Sequence, residues 1–294
     1  MKLTEKLQIL AQLSAKEKLC VLVSTLLNRL LAKIPADYQE TKMFFAKLLT
    51  AGHDIRKIKN ANLVTIRGDV DLGEYRFLIR RRTSDLKVAQ CVLLEKEYQP
   101  LVDLAFRQRQ LESIDYIVDA GANVGYATIF FKKIFSRSAC FPIEPDPGNY
   151  GLLLENIRLN NLENVFPVRA ALWAYATRLI TSRTFRDGKE WSINVVETDD
   201  DRVGTIQGIT VNQVMEDHAL PRIDVLKMDI EGAEAFIFSQ DAHPEQFLSK
   251  VRFLAMEIHE EMEAQDRIFE TLRESEFELS FHGGTHFGVN RKFR

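Results

Sequence analysis

Five side chains able to do chemistry stand at the ends of apolar runs in this 294-residue chain: Asp119, Glu144, Asp229, Glu257 and His259. The first sits in Tyr116-Ile-Val-Asp-Ala-Gly-Ala-Asn-Val-Gly-Tyr-Ala-Thr128, which reads as a strand, a carboxylate, a glycine loop and a helix. A strand that stops at Asp119 and turns through Gly121 and Gly125 leaves backbone N–H groups and one negative charge facing a cleft. Such a cleft suits a ligand with a polar, partly cationic part. Pyrophosphate dinucleotides need G-x-G-x-x-G, and here Asn123 and Tyr126 replace the second and third glycines. That fingerprint fails.

S-adenosylmethionine, with its sulfonium and ammonium, fits Asp119 better. Glu144 ends the next apolar run, Ser138 to Glu144, about 20 residues after the loop, where doubly wound sheets place the acceptor for ribose hydroxyls. Asp146, before Pro147, reads as a helix N-cap. Asp229 closes a further apolar run and is followed by Ile230-Glu231-Gly232. Its position admits contact to the cofactor ammonium, orientation of an acceptor, or a hard divalent ion. The alternative is that Asp229 and Glu231 cap the next helix. Glu257 and His259 are two apart and share one face of an extended strand. A lone buried carboxylate is costly unless paired, so the two suggest a site. A hydroxyl acceptor must lose a proton, and His259 has the unperturbed pKa for a general base. No dense carboxylate set argues for a metal.

The elements that would hold these groups alternate. Strands read at 115–119, 139–144, 164–169, 223–229 and 251–258, and helices at 124–136, 148–160, 211–219, 232–239 and 260–275. Residues 178–184 and 191–196 read as an inserted hairpin, whose Phe185 and Trp191 are either an acceptor wall or core. Residues 276–281 and 286–290 flank Gly283-Gly284 as a C-terminal hairpin. This is an α/β pattern: a doubly wound parallel sheet with an antiparallel C-terminal strand. Upstream, residues 3–34 and Met43 to Leu49 read as helices. Residues 62–68 and 74–81 read as a hairpin, and Val88 to Leu104 as a helix broken at Pro100. Residues 1–110 form an extension and 111–294 the main domain.

A net charge of −3 gives no general reason to bind nucleic acid. Arg80-Arg81-Arg82 is the densest basic run and reads as a solvated strand end. Cys20, Cys91 and Cys140 lack metal-ligand spacing and read as reduced thiols of a cytoplasmic protein. The apolar stretch Leu19 to Leu27 ends at Asn28 and Arg29, short of the ~18 residues that span a bilayer. The N-terminal helices leave a homo-oligomer open.

Four segments in order resemble the FkbM-type methyltransferases: Asp119-Ala-Gly-Ala-Asn-Val-Gly-Tyr126; Ile143-Glu-Pro-Asp-Pro147 with Asn156-Ile-Arg-Leu-Asn160; Ala170-Ala-Leu-Trp173; and Ile223-Asp-Val-Leu-Lys-Met-Asp-Ile-Glu-Gly-Ala-Glu234. Thr83-Ser-Asp85 and Glu97-Tyr98 resemble that family's lead-in. The resemblance implies a class I methyltransferase fold and methyl transfer from S-adenosylmethionine to a hydroxyl of a sugar, glycan or related natural product. It carries the methionine end of the cofactor onto Asp119, Gly121, Asn123 and Gly125, the ribose onto Glu144 and the adenine onto Ala170 and Ala171. A nicotinamide-dependent oxidoreductase and a non-catalytic scaffold on the same fold are the competing functions.

Overall fold

The computed structural model describes residues 39–50, 52–58, 61–67, 74–80, 83–108, 114–182, 194–199, 204–258 and 264–293. Helix α1 (Gln39–Thr50) leads into an antiparallel sheet of β1 (Asp54–Ile58), β2 (Ala61–Arg67) and β3 (Glu74–Arg80). The expected hairpin is β2–β3, paired from Ala61↔Arg80 to Arg67↔Glu74. Strand β1 has no counterpart in the sequence reading, because Asp-Ile-Arg-Lys-Ile carries too little apolar alternation. The helix expected at 88–104 is split. Helix α2 (Asp85–Ala89) runs into a π turn, Gln90–Leu94, and α3 (Gln99–Arg107) starts anew. Pro100 sits in the first turn of α3, where its missing N–H has no intrahelical partner to lose. The break therefore falls before it. The helices read at 3–34 lie outside the described residues.

The main sheet contains β4 (Tyr116–Ala120), β5 (Ala139–Ile143), β10 (Ile223–Met228), β11 (Val251–Glu257), β12 (Phe277–His282) and β13 (Thr285–Asn290), in the order β12-β13-β11-β10-β4-β5. Four strands are parallel, and the C-terminal hairpin joins antiparallel to β11. Its turn is Gly283-Gly284, both at positive φ (63° and 99°). The strand expected at 164–169 pairs with β5 at only two points, Cys140↔Val165 and Ile143↔Val168. Pro142 has no N–H to donate to this neighbour, so the ladder loses its middle bond. With that segment the order is the one that defines the class I methyltransferase fold.

Helices α4 (Tyr126–Ile134), α5 (Pro147–Leu159), α6 (Val211–Asp217) and α9 (Gln265–Glu274) match expected ones. The helix expected at 232–239 contracts to α7 (Glu234–Ile237), and a second short helix, α8 (Glu245–Leu248), follows. Strands β6 (Ala171–Leu172), β7 (Thr177–Ser182), β8 (Asn194–Glu197) and β9 (Ile206–Ile209) form a small separate sheet. Within it β7 and β8 are the inserted hairpin. Phe185 and Trp191 lie outside the described residues.

Alternation along the strands sorts the core. Ile117, Val225, Phe253, Ala255 and Phe287 pack on one face with α4 and the N-terminal segment. Val118, Leu226, Leu254 and Met256 pack on the other with α6 and α9. By that period of two, Asp119, Lys227, Asp229, Glu257 and Thr285 belong to the first face. Arg80 is not a solvated strand end. Its guanidinium donates to Asp85 and Asn149, tying β3 to α5.

The Asn156…Asn160 segment serves the same junction. Asn156 accepts from the Leu78 N–H and donates to the Val124 carbonyl. Asn160 accepts from the Arg76 N–H and donates back to the Arg76 carbonyl. Their spacing of four puts both amides on one face of α5, where they satisfy the free edge of β3. Tyr126 completes the joint by donating its hydroxyl to the Leu78 carbonyl at 2.6 Å.

Candidate functional site

A cavity of about 490 Å³ opens at the carboxyl ends of the parallel strands. Its floor is the loop after β4. Gly121 (φ +70°) lies so close to the turn after β10 that a Cβ would sit 1.8 Å from the Asp229 carbonyl oxygen. Gly125 (φ +86°) faces Leu153 in the same way, with a Cβ 2.5 Å from its Cδ1. The loop is further pinned by Gly121 and Ala122 N–H groups donating to the Ile143 carbonyl. Asn123 adopts a left-handed φ of 50° and its buried Oδ1 has no partner.

Glu144 is buried at one end of the cavity. Its Oε2 accepts from the Asn123 N–H at 2.8 Å, and its Oε1 from the Asp146 N–H at 2.9 Å and Asn149 Nδ2 at 3.4 Å. Burial raises its pKa to about 7, against the lowering pull of those backbone bonds. Three of roughly four lone-pair positions are taken, which leaves Oε2 one place for a hydroxyl. Asp146 itself is an N-cap, accepting from Gly148 and Asn149. Ala171 and Leu172 line the cavity, whereas Ala170 and Gly125 are buried and are not among its lining residues.

At the other end stand Lys227, Asp229, Glu231, Glu257 and Glu97. Asp119, expected to face the ligand, lies beneath them and is fully buried. It accepts from Thr128 Oγ1 at 2.6 Å, and its Oδ1 is 3.4 Å from Lys227 Nζ. The reason is register: Asp119 and Lys227 are direct neighbours on β4 and β10. Lys227 also donates to the carbonyls of Ala120 and Gly121 and approaches Asp229 Oδ2 at 3.7 Å. Burial would lower its pKa, but Asp119, Asp229 and Glu97 together hold it above the ordinary lysine value. The turn after β10 is capped by Glu234, which accepts from the Ile230 and Gly232 N–H groups. Asp229 and Glu231 are therefore not needed as caps, and both line the cavity. Glu257 lines it from β11. His259 lies outside the described residues.

Lys227, Glu97 and Asn149 line the cavity but are not among the site residues read from sequence. Lys227 sits in a quoted motif but carries weight only once β4 and β10 are in register. Glu97 belongs to the lead-in, and its approach depends on how the N-terminal segment folds back. Asn149 is one helical turn beyond the Asp146 cap. Among the described residues no group of three or more His, Cys, Asp or Glu is placed to hold a metal ion. Cys91 and Cys140 are free thiols. No helix of the described residues is long and apolar enough to cross a membrane.

Comparison with known proteins fits this geometry. Residues 119–279, more than half of the chain, match the model of the methyltransferase FkbM domain. The chain belongs to the FkbM methyltransferase family. It is 26% identical over 206 residues to methyltransferase sdnD of Sordaria araneosa, covering 58% of this chain and 76% of that protein. It is also 26% identical over 137 residues to methyltransferase 1 of Beauveria bassiana, covering 40% and 55%. A methyltransferase FkbM of known structure from Methylobacillus flagellatus is similar at 17% identity and a TM-score of 0.40, over 60% of this chain and 43% of that one. The chain thus spans about three quarters of the first relative and about half of the second. Family membership makes it a methyltransferase and implies S-adenosylmethionine as donor, which leaves the nicotinamide reading without support.

The residues present fit that donor. A buried carboxylate with one free acceptor position suits a ribose hydroxyl, and the small side chain of Ala171 suits a flat base. The surplus of carboxylates over Lys227 at the far end suits a sulfonium and an ammonium.

Proposed function

We propose that this chain transfers the methyl group of S-adenosylmethionine to a hydroxyl of a sugar, glycan or related natural-product acceptor. The observation that carries this is the polarity of one cavity. One end carries the hydroxyl-accepting carboxylate of Glu144 beside Asn123, Asn149 and Ala171, and the other is densely acidic around Lys227. Glu144 would hold the ribose and Ala171 the adenine. Gly121 and Asn123 would present the loop backbone to the methionine end. Asp119 would act from below, through Lys227, by fixing the loop on which the cofactor rests.

The bound cofactor supplies an electrophilic methyl group. The chain's part is orientation, charge and proton removal. Asp229 and Glu257 flank the acidic end from neighbouring strands, where hydrogen bonds to a polyol would align one hydroxyl with the methyl carbon. Such alignment is worth several kcal/mol of barrier. Carboxylates accept from neutral hydroxyls and repel anionic acceptors, which favours uncharged sugars over sugar phosphates.

The test is incubation with methyl-labelled S-adenosylmethionine and a panel of methyl glycosides, oligosaccharides, phenols, amines and carboxylic acids. Label in an alkali-stable ether supports the reading. Label confined to amines or to alkali-labile esters overturns it.

A further inference from the structure

Glu97 reaches the cavity from outside the segment that the family model matches, and several independent features hold it there. It follows Lys96, a non-glycine residue at φ 53°. Its N–H donates to the Cys91 carbonyl, and the Gln99 N–H donates to Lys96. The next residue, Tyr98, is buried against Phe131, with ring centroids 5.3 Å apart. From the opposite side Thr285, on β13, donates its hydroxyl to Glu97 Oε1 at 2.8 Å. A left-handed turn, a buried anchor and a clasp from another strand fix one side chain over the acidic end of the cavity. A side chain fixed in this way is suited to meeting a reacting atom.

We propose that Glu97 is the catalytic base, its carboxylate taking the proton from the acceptor hydroxyl during methyl transfer. This inference rests on the O-methyl transfer reading above. The O–H bond breaks toward Glu97 while the hydroxyl oxygen's electron pair forms the new C–O bond. The methyl C–S bond breaks, and its electrons stay on sulfur as the neutral thioether of S-adenosylhomocysteine. Glu97 then returns its proton to solvent. The surroundings suit the task. Burial raises the Glu97 pKa, the Thr285 bond lowers it, Asp229 and Glu95 raise it and Lys227 lowers it, leaving it above the ordinary carboxylate value. Glu257 on β11 and Cys91 on the π turn line the same cavity. A base moved toward neutrality transfers protons more effectively at working pH.

The test compares wild type, Glu97→Gln and Thr285→Val in two measurements. The first is calorimetric affinity for S-adenosylhomocysteine. The second is the pH profile of kcat on hydroxyl acceptors ranging from phenols to methyl glycosides. Glu97→Gln keeps an oxygen to accept from Thr285, so affinity should stay within about twofold. Its kcat should fall by roughly 10²–10⁴ on glycosides, and less on phenols, whose hydroxyl ionises more readily. The ascending acid limb should vanish in Glu97→Gln. It should shift to higher pH in Thr285→Val, where the ionised carboxylate loses a donor. An unchanged limb and near-normal kcat in Glu97→Gln overturn the assignment, as does an equal loss on phenols and glycosides. Wild type that binds S-adenosylhomocysteine but methylates no hydroxyl overturns the underlying reading, and this one with it.

Discussion

Replacing Lys227 with methionine should be among the most damaging single changes in the sheet. The side chain is 4% exposed, and that of Asp119 beside it is fully buried. Methionine fills a similar volume, so the loss is electrostatic. Among the described residues, Asp119 would keep the Thr128 hydrogen bond and lose its buried counter-charge at 3.4 Å. The Gly121 carbonyl would lose its 2.7 Å donor. Breaking a buried pair by removing one partner costs about 3–5 kcal/mol. For a chain of this size that corresponds to a fall in Tm of roughly 5–15 °C. The assay is urea and thermal unfolding of Lys227→Met, Asp119→Asn and the double variant. Because Asp119→Asn removes the stranded charge, the double variant should be more stable than Lys227→Met alone, with a coupling of order 1–3 kcal/mol. A loss below about 1 kcal/mol, or strict additivity, would refute the account of this pair as the foundation of the loop.

Affinity for S-adenosylhomocysteine, followed by calorimetry against pH, should weaken about tenfold roughly one unit below pH 7, because protonating Glu144 removes its acceptor. In Glu144→Ala the profile should be flat and weak throughout. Because this carboxyl binds its proton more tightly folded than unfolded, its contribution to apo stability should fall as pH rises from its ordinary value of 4.5 to about 7. A melting series over that range in wild type and Glu144→Ala checks the sign. Gly121→Ala forces a Cβ onto the Asp229 carbonyl and should abolish cofactor binding while the far-ultraviolet dichroism stays near wild type. Asn156→Leu orphans the buried Leu78 N–H and the Val124 carbonyl. It should cost about 1–3 kcal/mol for each group and expose residues before 80 to limited proteolysis.

The succession of strands and helices and the glycine loop are legible in the chain because local pattern determines them. Apolar runs ending at Asp119, Glu144 and Asp229 announce the carboxyl edge of a parallel sheet wherever the helices go. What depends on register is not legible. Lys227 reads as an ordinary charge in a strand until its neighbour is known to be Asp119. That pairing moves Asp119 from the cavity to its foundation. Capping is similar: Asp229 and Glu231 read as candidate caps, and only the turn geometry assigns the work to Glu234. The segment at 164–169 does lie parallel to β5, but its ladder is interrupted where Pro142 withholds a donor. Glu97 is 22 residues before Asp119 in sequence, and its place over the cavity follows from the turn at Lys96, the burial of Tyr98 and the Thr285 hydroxyl on β13.

On the proposed reading the cavity holds an adenosyl-sulfonium cofactor with Glu144 at the ribose. Calorimetric titration of the full chain with S-adenosylhomocysteine, and separately with NAD, tests it most directly. The account predicts one-to-one binding of S-adenosylhomocysteine that weakens in Glu144→Ala, and no heat of binding with NAD. Saturable binding of NAD, or S-adenosylhomocysteine affinity that Glu144→Ala leaves unchanged, would contradict it.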